Sequence, residues 1–375
     1  MSLDRKLEKL AESTSNDFPF ISLYLNTQAD QHGRDNFDSF VRKEFSSRAK
    51  AFADGSPERE SFERDAGRIN IYLRDKLEPS ANGLAIFACA GANNYFEAIQ
   101  LDAPIEKHSL HVSDRPHLYP LARIVDQFPR YVALLADSQT ARLFVFDLGR
   151  TESAVEYYNL KTSRTLAAER PQLRYQQRLD NYRSQYIKEV AAMLERIVKE
   201  ENAQHVVLAG DDFFIPEFRQ HIPRYLNDRV IDILRLDIRT PEHEILKATM
   251  ESLRDNNIQT DAEKVRDLFD RYQEGGSAAV GLRDTLDALS NGKVEELILS
   301  ASLKQISVDQ TSLSRIPSVT AVPNTLAEHL TEPRSSAAVA DKLVAEALST
   351  GSTITFIEDP MLLGDVGGVG AFLRY

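Results

Sequence analysis

Cysteine is almost absent. The one cysteine in 375 residues, Cys89, cannot form an internal disulfide. It stands in the apolar run GLAIFACAG, where a thiol packs as a small hydrophobe and not as a nucleophile. Long apolar runs are also missing. No stretch approaches the roughly 18 residues needed to span a bilayer, so no membrane partner is expected. The opening MSLDRKLEKLAEST is charged and has no apolar signal core, which points to a cytoplasmic location. Positive charge is in deficit: 57 Asp and Glu against 45 Lys and Arg give a formal net charge of −12. That balance argues against indiscriminate binding to nucleic acid or anionic membrane, and no DNA partner is expected.

Familiar catalytic motifs are missing too. There is no CxxC, HExxH, GxSxG, Walker or dinucleotide fingerprint. The glycines of GDVGGVG (Gly364, Gly367, Gly368, Gly370) lack the Lys-Ser/Thr of a phosphate loop, and they read as a tight turn or close backbone packing. His108, His111 and His117 form the one histidine cluster. On an extended segment 108 and 111 point to opposite faces, so a shared metal would need a turn between them. No metal and no cofactor are expected. In AGDDFF, Asp211 and Asp212 follow a strand and precede a helix. One of them caps that helix in the simplest reading, with an acid pair for a metal as the alternative.

What remains is an α/β chain of three domains. Residues 1–125 form an α+β domain. FPFISLYLNT alternates as a strand, charged helices follow at about 34–54 and 58–78, and DGSPERE supplies the stop and start between them. GLAIFACA, GANN and YFEAIQL read as a hairpin. SDRPHLYPLARI has two prolines and no period, so it reads as a linker. Residues 126–275 open with the meander YVALLAD, ARLFVFDLG, AVEYYNL. A long helix follows at about 173–202, with an apolar stripe of Tyr182, Tyr186, Val190, Met193, Leu194 and Ile197. HVVLAG is a strand buried on both faces, and a helix around 213–226 and the strand RVIDILRLDI complete a βββαβαβ order. Helical segments at 241–254 and 261–274 lead out. Residues 276–375 alternate helices and strands as a small α/β/α sandwich: Val280, Leu282, Leu286 and Leu289 mark a helix stopped by Asn291-Gly292, and VEELILS and TITFIE are strands. Residues 303–334 are polar, hold three prolines, and read as a long loop open to a protein partner.

The strongest local signal lies at the start of the long helix. From Lys161 to Lys188 stand seven cations (Lys161, Arg164, Arg170, Arg174, Arg178, Arg183, Lys188) against Glu169 and Asp180, a local charge of +5. Arg174 and Arg178 share a helix face. Arginine grips phosphate with two parallel donors, and Tyr175 and Tyr182 offer faces for stacking. The competing reading is a solvated face with intramolecular ion pairs.

At this point the chain resembles a known family. ISLYLNT, GLAIFACAG, YVALLADSQTARLFVFDLG, LRYQQRLDNYRSQYIKEVAAML, HVVLAGDDFFIPEFRQHI, GLRDTLDALSNGKVEELILS and the terminal GGVGAFLRY are similar, in order and spacing, to archaeo-eukaryotic class-one peptide chain release factors and Pelota, and more narrowly to their bacterial relatives. The resemblance implies a ribonuclease-H-like middle domain, a ribosomal-protein-like third domain, and a partner in the ribosome or tRNA. It implies RNA contacts from Arg170, Arg174, Tyr175, Arg178 and Lys188. In release factors a Gly-Gly-Gln loop before the basic helix supports peptidyl-tRNA hydrolysis, because glycine permits close backbone approach and glutamine stabilises developing charge. Anchored on Arg174-Tyr175, those three positions fall on Ala168, Glu169 and Arg170. Gln172 follows Pro171 two residues late and is the one candidate for a catalytic glutamine. The resemblance therefore implies ribosome or tRNA binding in rescue, quality control or stress, without decoding and without hydrolysis. A variant-loop peptidyl-tRNA hydrolase and an interaction scaffold that has lost RNA are the alternatives.

Overall fold

The computed structural model describes residues 3–13, 18–28, 37–79, 81–101, 103–147, 150–158, 172–306 and 334–374. The chain forms two compact units, one of Met1–Gln127 with Ile258–Tyr375 and one of Phe128–Asn257. The first unit holds two sheets and the second holds one.

The first layer begins with helix α1 (Leu3–Ala11) and strand β1 (Phe20–Asn26). Helices α2 (Phe37–Ala49) and α3 (Pro57–Asp75), strands β2 (Gly83–Cys89), β3 (Tyr95–Leu101) and β4 (Ser109–Ser113), and helix α4 (Tyr119–Gln127) follow. The sheet is antiparallel in the order β3-β2-β1-β4. Ile21, Leu23 and Leu25 alternate onto one face, where they meet Val41, Phe45, Phe62 and Ile69 of α2 and α3. Ser56 starts α3: its hydroxyl accepts from the Arg59 N–H at 3.2 Å, and Pro57 occupies the first helical position. The expected hairpin is present, turned by Asn93 and Asn94 at φ 51° and 54°. Cys89 is fully buried in β2.

SDRPHLYPLARI is not a linker. Its first residue ends β4, and Tyr119–Gln127 is a helix with Pro120 in its first turn, where a missing N–H costs no hydrogen bond. Nearly every apolar side chain it carries is buried, including Leu118, Tyr119, Leu121 and Ile124.

The second unit carries strands β5 (Tyr131–Ala136), β6 (Thr140–Asp147) and β7 (Arg150–Tyr158), helix α5 (Gln172–Glu200), strand β8 (His205–Gly210), short helices α6 (Phe214–Arg219) and α7 (Arg224–Asn227), and strand β9 (Val230–Leu234). The sheet runs β7-β6-β5-β8-β9, antiparallel across the meander and parallel from β5 through β8 to β9. This is the mixed, ribonuclease-H-like order. Gly210 ends β8 at φ 148°, and a Cβ there would lie 1.9 Å from the Ala136 carbonyl oxygen, so only glycine fits beside β5. The single helix expected around 213–226 is two, separated at Pro223. The last strand is shorter than RVIDILRLDI, ending at Leu234.

One helix of 32 residues, α8 (Glu242–Gln273), replaces the two segments expected at 241–254 and 261–274. It leaves the second unit and enters the first. Ile245 and Leu253 are buried in the core with Tyr131, Phe144 and Phe146, and Val265 and Leu268 in the core with Ile298 and Phe372.

The first unit closes with strand β10 (Ala278–Val280), helix α9 (Leu282–Ser290), strand β11 (Val294–Ser300), helix α10 (Arg334–Ser349) and strands β12 (Thr353–Ile357) and β13 (Val369–Leu373). The order is β10-β13-β11-β12. Val280 lies in a strand and not in the helix expected to include it; Gly281 at φ 83° divides the two. Gly292 (φ 65°) stops α9. Gly367 and Gly368 turn the chain at φ 71° and 75°, and a Cβ on Gly368 would lie 2.8 Å from the Gln305 carbonyl oxygen, so this glycine run is a turn with close backbone packing. Leu303–Gln305 is a single 3-10 turn; the remainder of the expected loop, 307–333, lies outside the described residues.

Within this unit α1, α4 and α10 pack together, and α4 lies against β12. Asp341 of α10 accepts from the Leu118 and Tyr119 N–H groups at 2.8 and 3.0 Å and from His117 Nδ1 at 2.6 Å. Asp126 of α4 accepts from the Phe356 N–H at 2.8 Å, and Asp261 of α8 from the Glu358 N–H at 3.0 Å.

Candidate nucleic-acid interface

Helix α5 buries one face on the central sheet. Tyr186, Ile187, Val190, Ala191, Leu194, Ile197 and Val198 pack on Val132, Leu134, Leu143, Val145, Val206 and Leu208, with Met193 partly covered. Their three- and four-residue spacing is the apolar stripe read from the sequence. The outer face exposes Gln185, Lys188, Glu189, Ala192, Arg196 and Lys199.

Of the seven cations, two have described side chains. Lys188 is exposed and makes no ion pair with another described residue. Arg183 is spent internally: it pairs with Glu217 of α6 at 2.7 Å, and its Nη2 donates to the Phe213 carbonyl at 3.4 Å. Such a half-exposed pair contributes about 0–1 kcal/mol to stability, but it occupies the guanidinium. The backbone is helical from Gln172, while the side chains of Gln172, Arg174, Tyr175 and Arg178, and all of residues 159–171 with Arg170, lie outside the described residues.

The turn after β8 adds a feature that the sequence did not announce. Asp211 Oδ1 accepts from the Phe213 and Phe214 N–H groups at 2.8 and 2.5 Å, so Asp211 is the member of the acid pair that caps the helix start. Asp212 pairs with Arg235 at 3.0 Å. The two phenylalanines diverge: Phe214 is fully buried and Phe213 is 83% exposed.

Of the three histidines, His111 and His117 stack with ring centroids 3.8 Å apart, His117 buried and His111 partly covered. Burial, followed by His117 and Arg48, holds His111 well below the ordinary imidazole range. His108 Nδ1 accepts from the Asn26 N–H. Among the described residues no three His, Cys, Asp or Glu side chains converge to hold a metal ion, and no helix is long and apolar enough to cross a membrane.

Charge is divided unevenly. Residues 128–257 hold 19 Lys and Arg against 20 Asp and Glu, whereas residues 258–375 hold 10 against 17. The unit with the basic helix is therefore close to neutral, and much of the chain's acidity lies elsewhere.

Residues 116–254 match the family model described as "Bacterial archaeo-eukaryotic release factor family 10". The chain is 27% identical over 136 residues to a Pelota homologue of Pyrococcus furiosus, a match covering 35% of this chain and 38% of that protein. A Pelota homologue of Pyrococcus abyssi is 23% identical over 132 residues, covering 34% and 37%. Among solved structures, yeast (S. cerevisiae) Dom34, described as a translation termination-like factor involved in RNA quality control pathways, aligns at 11% identity over 78% of this chain and 79% of that one, with a TM-score of 0.43.

Proposed function

We propose, from a chain that groups through residues 116–254 with the release factors and Pelota, that this protein binds the ribosome or tRNA and acts in translation rescue, quality control or stress. It does so without reading a stop codon and without hydrolysing peptidyl-tRNA. The observation that carries the reading is the start of α5, which lies inside the matched segment and opens on Arg174-Tyr175. Positions 174, 178 and 188 fall within a sector of about 80° of the helix circumference, so they form one row. Lys188, the described member of that row, is exposed. Arg170 stands four residues before Arg174 in the sequence and adds to the same run of positive charge. The absence of hydrolysis rests on Ala168, Glu169 and Arg170 at the Gly-Gly-Gln positions. A methyl group and a carboxylate replace the two glycines that allow close approach, and an arginine replaces the glutamine. Gln172 takes no catalytic part in this reading. Contact with tRNA in particular, and a protein partner for residues 303–334, belong to the same proposal.

Reversing two charges, Arg174→Glu with Arg178→Glu, tests it. The fraction of protein sedimenting with 70S particles at low salt is expected to fall, and the slope of log affinity against log salt to flatten by between one and two, because each lost phosphate contact releases about one counterion fewer. Unchanged sedimentation and slope would remove this helix from any RNA contact. On stalled ribosomes peptidyl-tRNA is expected to remain intact at saturating protein, and peptide release would restore the hydrolase alternative.

A further inference from the structure

Helix α3 buries Ser61, Phe62, Asp65 and Ile69 on its inner side. Its outer face carries two features that folding does not explain. Gly67 stands in the middle of the helix, outside the left-handed φ range, and a Cβ built there meets nothing within 4 Å. Glycine at such a position costs helix stability relative to alanine and returns no packing. Ile71, one turn on, is 54% exposed. Glu60, Arg64, Gly67, Ile71 and Arg74 are all exposed and fall within a sector of about 80° of the helix circumference. Glu60, Gly67 and Arg74 are spaced by seven residues, so an acid and a base stand about 10.5 Å to either side of the glycine. Glu60 and Arg64 form no ion pair with another described residue, and Arg74 shares a surface pair with its neighbour Asp75 at 2.7 Å.

We infer that this face is a self-association surface, on which α3 of a second copy lies antiparallel with the two Gly67 residues at the crossing. The order of the row is its own complement under a two-fold axis. It sets Glu60 of each copy opposite Arg74 of the other, and Ile71 over the aliphatic stem of Arg64. A parallel pair would instead set Glu60 on Glu60 and Arg74 on Arg74, so charge fixes the direction. With no side chain on Gly67, the axes can close to about 8 Å, the short end of helix–helix distances. The pair with Asp75 does not compete, because one guanidinium has five donors and can serve two carboxylates. Glu60 and Asp75 cancel Arg64 and Arg74, so the face offers a phosphate backbone no net attraction.

The test is sedimentation velocity of the full chain across the micromolar range. One helix pair is a small contact, so wild type is expected to pass from monomer to dimer with a dissociation constant on the order of tens of micromolar. Gly67→Gln puts bulk at the crossing and is expected to weaken the dimer by about tenfold or more. The same variant should raise the melting temperature by about 1–3 °C, because glutamine is the better helix former. The opposite signs separate a lost contact from a folding defect. Glu60→Arg and Arg74→Glu each turn both symmetric pairs into like charges, and each is expected to weaken the dimer roughly tenfold. The two together exchange the signs and should restore wild-type association. A wild type that stays monomeric throughout, an unchanged dimer in Gly67→Gln, or a double variant that fails to regain association would each overturn the inference.

Discussion

Asp341→Ala is expected to lower the stability of the first unit by about 3–5 kcal/mol, read as a shift of the urea midpoint followed by far-ultraviolet circular dichroism. One carboxylate serves three donors there. Its Oδ1 takes the Leu118 and Tyr119 N–H groups, and its Oδ2 takes His117 Nδ1. His117 is 2% exposed, and a carboxylate only accepts, so the ring must carry its proton on Nδ1. Its own N–H donates to Ser22 Oγ at 2.9 Å and its carbonyl accepts from Tyr24 at 2.5 Å, which fixes it to β1. Alanine would leave three donors facing a gap, each worth about 1–3 kcal/mol when unsatisfied, less whatever water enters by the partly open side of Asp341. Asp341→Asn keeps one acceptor oxygen for the backbone N–H pair and is expected to cost about half as much. A near-zero effect of alanine would mean that the packing of α1, α4 and α10 holds without this carboxylate.

The second large effect depends on pH. Burial, only partly offset by the Phe356 N–H and Lys264, and reinforced by Asp261 and Glu296, pushes the Asp126 carboxyl up to about 7. A raised acid pKa means that the folded protein prefers the protonated form. The stability this group allows is fully present at low pH, and is lost progressively as pH rises from the ordinary carboxylate range to about 7, after which it is flat. Asp126→Asn keeps a neutral acceptor at every pH. The variant is therefore expected to match wild type near pH 4 and to exceed it by on the order of 2–4 kcal/mol above pH 7. The lower part of that range reflects the residue's partial solvent access. Subtracting the two stability–pH curves removes His111, whose depressed pKa acts in the opposite direction by disfavouring acid. A flat difference curve would mean that Asp126 is ionised in its site at no cost.

These two carboxylates also show why part of the fold was hidden in the sequence. Strands such as FISLYLN and HVVLAG, and the stripe on α5, declare themselves because the period of apolar residues matches the element that buries them. Pro116 and Pro120 broke that period in SDRPHLYPLARI, so the segment read as a connector. Its order comes from Asp341, more than two hundred residues away. The length of α8 was obscured for a related reason. Its buried face shifts between Leu253 and Val265, since its two ends serve different cores, and a single apolar stripe does not run through it. At the candidate site, the basic character of α5 was legible from composition alone. The loss of Arg183 to Glu217 was not, because the partner lies on another helix. Nor was Phe213, since a Phe-Phe pair after a strand reads as core on both counts.

The bonds from Asp126 and Asp261 to Phe356 and Glu358 have one more consequence. Strand β12 is the last strand of its sheet, so its outward N–H groups would otherwise form a template onto which another chain could add and start aggregation. Asp126 covers the outward N–H of Phe356 and Asp261 that of Glu358, just past the strand's end, with side chains that cannot propagate a ladder. They stand beside the two points where the chain leaves for the other unit and returns from it, at Gln127 and Ile258. The same pair that seals the sheet margin thus anchors both crossings, so a chain that loosens at its connections is also one that becomes adhesive.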